Sequence, residues 1–121
     1  MSPRTSPLAK GARSKHSGLQ KSAPIFAALG DETRLRLIAV LCAGGALSIA
    51  QLTAGTDITR QAVTKHLQVL ADAGLVHDIR QGRERLWEFE PTRLEEARRS
   101  LDTIAQQWDQ ALTRLKSMLE Q

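Results

Sequence analysis

The stretch that most limits what this chain can become runs from Ile58 to Val76 and reads ITRQAVTKHLQVLADAGLV. Val63, Leu67 and Leu70 recur at helical spacing, which predicts a helix over about Arg60 to Ala73 with that line set against a core. Gln61, Thr64, Lys65, Gln68 and Asp72 fall within the opposite arc. Thr59 is placed to cap the first turn, and Gly74 to close the last one in the left-handed conformation with Leu75 folding back onto Leu70. Such a helix is fixed at both ends and presents amides, hydroxyls and a cation on its free side. Reading a DNA major groove needs that arrangement, because the groove's width admits one helix. An ordinary amphipathic surface helix has the same pattern, so the neighbouring segments must decide between the two.

Upstream, Ser48-Ile49-Ala50-Gln51 fits a capping box, with Leu47 and Leu52 placed to staple the helix start. Gly55-Thr56-Asp57 leaves only a brief turn before the Thr59 cap, so the two helices must cross steeply, as in a helix-turn-helix. Asp31 to about Ala43 reads as an earlier helix with acids at its start, apolar nearly all round and therefore expected in the core. Its two arginines, Arg34 and Arg36, either contact phosphates or are simply solvated. Pro24 suits the first turn of a short helix carrying Ile25, Phe26 and Leu29 and ended by Gly30. Residues 1–21 read as a disordered basic tail, polar and interrupted by Pro3, Pro7, Gly11 and Gly18. The tail either touches phosphates or is solvated. The same interruptions argue against the amphipathic helix of a transit peptide.

After Gly74 the period changes. Leu75 to Arg80 and Arg85 to Glu90 can pair as strands around a turn at Gln81-Gly82, with Trp87 and Phe89 facing the core. Arg80, Arg83 and Arg85 flank that turn, so the hairpin reads either as a wing that grips phosphate or the minor groove, or as a solvated tip stapled by Glu84. Thr92 and Glu95 fit a second capping box at the start of the last helix. Leu94, Ala97, Leu101, Ile104, Trp108, Ala111, Leu115 and Met118 then recur at alternating steps of three and four, a heptad seam that Ala105, Leu112 and Leu119 widen. At 1.5 Å per residue the helix is about 40 Å long. That is more than so small a domain covers by itself. The seam therefore implies a second subunit, with Ile25, Phe26 and Leu29 packed alongside; packing against its own domain alone is the other reading.

A chain of 121 residues supports one core, and with aromatics at 3% that core must be aliphatic. The formal charge of +4 is uneven. Residues 1–30 hold five bases and no acid, residues 31–74 four of each, and residues 75–121 eight bases and nine acids. DNA affinity must then come from local patches and the tail rather than from a protein that is positive all over. One cysteine, Cys42, allows no internal disulfide and no thiolate cluster within one chain, which points to a reducing, cytoplasmic setting. No apolar run reaches membrane-span length.

These pieces together, ALGDETRLRLIAVL, LSIAQLTAG, ITRQAVTKHLQVLADAGLV and the GRERLWEF hairpin, resemble the ArsR-type winged-helix transcriptional regulators over about residues 22–119. The resemblance implies a mainly α fold with a small β-hairpin: a winged helix-turn-helix dimerising through its N- and C-terminal helices, over residues 22–121 with the dimerisation helix at about 92–119. It implies a homodimeric repressor of a palindromic operator, not an enzyme. Carried over by position, Arg60, Gln61, Thr64, Lys65 and His66 match the recognition helix, and Arg83 and Arg85 match the wing. With the helix-end and polar-face positions Thr59 and Gln68 they make up the expected DNA-binding set. The expected dimer interface is Ile25, Phe26, Leu29, Leu94, Ala97, Leu101, Ile104, Trp108, Leu112 and Leu115.

The chain also departs from the family pattern. The helix before the recognition helix, SIAQLTA, carries no thiol, and the last helix no histidine. His16, His66 and His77 are not spaced as paired ligands, so no metal or other cofactor is expected. The chain looks more like the branch without a recognised metal site, whose last helix carries a Trp followed by an RLK-like segment, here Trp108 and Arg114-Leu115-Lys116. His66 either packs against the preceding helix or donates to phosphate, and Cys42 is either an inert core residue or an oxidation sensor. The expected partners are double-stranded DNA, a second copy of the chain, and an inducer whose existence and identity the sequence leaves open. The competing readings are a winged-helix interaction module that no longer binds DNA, and an enzyme pairing Cys42 with His66 or His77.

Overall fold

The computed structural model describes residues 7–120, with side chains from Gly18 onward. The elements run α1 (Pro7–Leu29), α2 (Glu32–Gly44), β1 (Leu47–Ser48), α3 (Ile49–Ala54), α4 (Arg60–Asp72), β2 (Val76–Gln81), β3 (Glu84–Phe89) and α5 (Pro91–Leu119). They fall into two compact units: Ala23–Leu94, and the part of α1 up to Ser22 with α5 from Glu95 onward.

The Ala23–Leu94 unit is built on an aliphatic core. Leu37, Ile38 and Leu41 of α2, Leu52 of α3 and Val63, Leu67 and Leu70 of α4 are all buried, the last three completely. Leu75, Val76, Leu86 and Trp87 complete it from the sheet side. The sheet is three-stranded and antiparallel in the order β1-β3-β2. Leu47 lies opposite Trp87, Val76 opposite Phe89, and Gln81 opposite Glu84. Gly82 and Arg83 form a two-residue turn, one position beyond the one expected, and Gly82 takes the positive φ of 65° that such short hairpin loops demand. Trp87 is buried as expected, whereas Phe89 is half-buried.

In the second unit α1 meets α5 through small residues. The hydroxyls of Ser22 and Ser100 lie 2.9 Å apart, Ser100 donates to the carbonyl of Gly18 at 3.2 Å, and a Cβ added at Gly18 would sit 3.9 Å from the Ser100 oxygen.

Several expectations are corrected. The short helix expected to start at Pro24 is the end of a helix that starts at Pro7, so residues 7–21 of the expected disordered tail are helical; residues 1–6 lie outside the described residues. Strong helix formers fill most of that stretch, and the Ser100 hydroxyl bonds the carbonyl of Gly18, whose local cost in a helix interior is about 1 kcal/mol. α2 is apolar nearly all round but not buried all round. Leu35, Val40 and Cys42 are exposed in the single chain, so Cys42 is not a core residue. The start of α5 is held by Glu90 rather than by a Thr92–Glu95 box. Glu90 accepts from the Thr92 hydroxyl at 2.8 Å and from its amide at 3.4 Å, while Pro91, which has no N–H to satisfy, takes the first helical position and Glu95 pairs with Arg98 at 2.7 Å.

Asp31 is the N-cap of α2 and accepts from the Arg34 amide at 3.1 Å. That amide, aided by the charges of Arg34 and His66 and opposed by partial desolvation, holds its carboxyl below the ordinary carboxylate value. The lowered folded value makes the cap's contribution complete above the unfolded pKa of about 4 and lost as pH falls through the folded one. Asp31→Ser, which keeps a cap but removes the titration, should therefore narrow the gap in urea stability from the parent protein as pH drops from about 5 toward 2. A gap unchanged across that range refutes the assignment.

Candidate nucleic-acid interface

The expected groove-reading helix forms as read. The Thr59 hydroxyl accepts from the Ala62 amide at 3.1 Å, and at the other end the Leu75 amide reaches the Leu70 carbonyl at 2.9 Å across Gly74, whose φ is 80°. A Cβ at Gly74 would come within 2.9 Å of Arg93 Cγ, so both conformation and space reserve that position for glycine. The preceding helix is fixed equally well. Ser48 accepts from the Gln51 amide at 3.1 Å and Gln51 Oε1 from the Ser48 amide at 2.9 Å, completing the expected capping box.

The free side of α4 is only partly the one expected. Thr59, Arg60, Gln61, Lys65 and Gln68 are exposed, and Thr64 is half-buried. Arg60, Gln61, Thr64 and Lys65 line one open depression together with Ile49, a residue that sequence reasoning assigned only to a helix cap motif. The only sequence signal for it was the closeness of the two capped helix starts. The Thr64 hydroxyl donates to the Arg60 carbonyl at 2.8 Å and is not a free donor. The Gln68 amide nitrogen donates to Asp72 at 3.0 Å, so these two polar residues engage each other.

His66 faces elsewhere. Its Nδ1 lies 3.3 Å from Arg34 Nη1 and 3.9 Å from Asp31 Oδ2. A guanidinium only donates, so any hydrogen bond between the two runs from Arg34 to the ring nitrogen. Arg34 also donates through Nε to the Ala28 carbonyl, and Arg36 pairs with Glu32 at 2.9 Å. The structure thus assigns His66 and Arg34 to tying α4 to the start of α2.

At the wing, Arg80 and Arg83 are exposed, and among the described residues neither has an ion-pair partner. Arg85 does have one. Its Nε donates to Asp78 at 2.8 Å, and its guanidinium lies 4.8 Å from the centroid of the Trp87 ring. Asp78, not Glu84, staples the hairpin, and the Arg85 bond holds its carboxyl below the ordinary value. His77 is bound at 3.0 Å by Glu88, directly opposite it, and lies 3.6 Å from Glu90. Neither His66 nor His77 is hydrogen-bonded to Cys42, and among the described residues no three His, Cys, Asp or Glu side chains gather as metal ligands.

The proposed dimer residues divide into two groups. Leu101, Ile104, Trp108, Leu112 and Leu115 are 43–66% exposed in the single chain. Phe26, Leu29 and Leu94 are half-buried, and Ile25 and Ala97 are already buried, at 3% and 1%, with little surface left to give. No described helix is long and apolar enough to cross a membrane.

The helix-turn-helix domain family matches residues 29–79. The HTH-type transcriptional regulator Rv2034 of Mycobacterium tuberculosis is 37% identical over 93 residues, covering 77% of this chain and 83% of that protein. The arsenical resistance operon repressor of Escherichia coli is 34% identical over 59 residues, 49% of this chain and 50% of that protein. Among solved structures, an ArsR-like transcriptional regulator from Rhodococcus sp. RHA1 matches with a TM-score of 0.73 and 32% identity, over 84% of this chain and 95% of that one.

Proposed function

Since the chain belongs to the ArsR-type winged helix-turn-helix transcriptional regulators, we propose that it is a cytoplasmic homodimeric repressor whose two α4 helices enter successive major grooves of a palindromic operator, about 34 Å apart. The observation that carries this reading is the α5 stripe. Five large apolar side chains lie at heptad spacing along one face, and Trp108, at 66% exposure, is the most open of them. An exposed seam of that length belongs against a copy of itself, because a two-fold axis makes one patch serve both partners. The Escherichia coli relative is itself named a repressor.

In this reading Arg60, Gln61, Lys65 and Gln68 meet base edges, Thr59 and the α4 N-terminus meet a phosphate, and Arg83 grips the backbone from the wing with Arg80 beside it. Arg85 pairs with Asp78, and that pair shapes the wing. Arg83→Ala should weaken binding evenly across sequences and make the slope of log affinity against log salt shallower by about 0.9, the counterion released per phosphate contact. A titration series with unchanged slope and affinity removes the wing from the account.

Selecting duplexes from a random pool with the purified protein, followed by equilibrium titration at physiological salt, tests the whole reading. A pair of inverted half-sites spaced by one helical turn is expected. Binding no tighter to the selected duplex than to random DNA would favour an interaction module that does not read sequence.

A further inference from the structure

The polar face of α4 contains one apolar spot. Thr64 turns its hydroxyl onto the Arg60 carbonyl one turn back, which leaves the γ-methyl as the half of the side chain available outward. Ile49, at the first position of α3, lines the same depression and is only half-buried. By contrast, Leu52 from α3 and Val63, Leu67 and Leu70 from α4 are fully in the core. An isoleucine and a threonine methyl thus sit among Arg60, Gln61 and Lys65, open to whatever those three residues meet.

A major groove offers one apolar group, the C5-methyl of thymine, and apolar contact with it separates thymine from cytosine. We propose that Thr64 and Ile49 form a thymine-methyl reader, so that each half-site contains a thymine recognised by its methyl group rather than through a hydrogen bond from Thr64. This inference rests on the reading that α4 enters a major groove, and it names what that helix specifies there.

The test uses the selected duplex with each thymine of the half-site replaced in turn by deoxyuridine, which deletes the methyl and leaves the hydrogen-bonding edge intact. At one position per half-site, affinity of the parent protein should fall about fourfold, the worth of one buried methyl. The penalty should persist in Thr64→Val, which keeps the methyl and loses the hydroxyl. It should disappear in Thr64→Ser, which does the reverse, and shrink in Ile49→Ala. No penalty at any thymine overturns the proposal and leaves the groove-reading helix standing; so does a penalty that survives Thr64→Ser and is lost in Thr64→Val. If selection yields no duplex, the groove-reading helix fails and this inference falls with it.

Discussion

Ile104→Glu should turn the proposed dimer into a monomer at micromolar concentration and lower affinity for the proposed operator at least a hundredfold. Ile104 lies near the middle of the α5 seam and is 43% exposed in the single chain, so the glutamate meets water in the monomer and a facing apolar helix in the dimer. Two copies across the axis place like charges close together in an apolar contact, which is costly at both positions. The loss of DNA binding follows from linkage, because two half-sites held on one body gain about 10²–10⁴ in avidity that separate protomers lack. Gln106→Glu, on the same helix but outside the seam, adds the same charge and should change neither property. Sedimentation equilibrium decides between these outcomes. A dimer that survives Ile104→Glu with its affinity intact shows that α5 is not the interface.

Leu67→Ala should cost about 3 kcal/mol of folding stability, within the 2–5 kcal/mol range for a leucine removed from a closed core. Leu67 is fully buried between Val63 and Leu70 on the inner line of α4, so the deletion leaves a cavity under that helix. Small domains have roughly 5–15 kcal/mol in total, so the loss is a large fraction of it. Urea melts at one fixed protomer concentration measure it, since dimerisation would otherwise move the midpoint. A cost below about 1 kcal/mol would mean that α4 is not seated on a packed core.

What the sequence made legible was whatever rests on local chemistry. The limits of α4 follow from Thr59, Gly74 and the period of Val63, Leu67 and Leu70, all within one stretch, and the structure reproduces them. The α3 capping box is equally local. What was missed depends on residues far apart in the chain. β1 is two residues long, too short for any alternation, and exists because Leu47 and Ser48 pair with Trp87 and Leu86. Arg85 loses its freedom because the hairpin register sets Asp78 opposite Trp87, two residues along and hence diagonal to Arg85 on one face. Gly18 read as a breaker because Ser100, which stabilises that turn, is 82 residues away. Thr64 looked like a free hydrogen-bonding group because sequence does not show that its hydroxyl is bonded to its own helix. These features have one thing in common, a side chain or strand whose partner lies beyond what the local sequence displays.

The double closure of α4 also bears on the thermodynamics of recognition. With a hydroxyl clasp at one end and a glycine stop crowded by Arg93 at the other, α4 should neither lengthen nor fray in the proposed complex with a duplex. The entropy of ordering its backbone is lost during folding rather than at the operator. The heat-capacity change on binding should then reflect dehydration of the contacting surfaces, without the larger signature of a helix forming on its target.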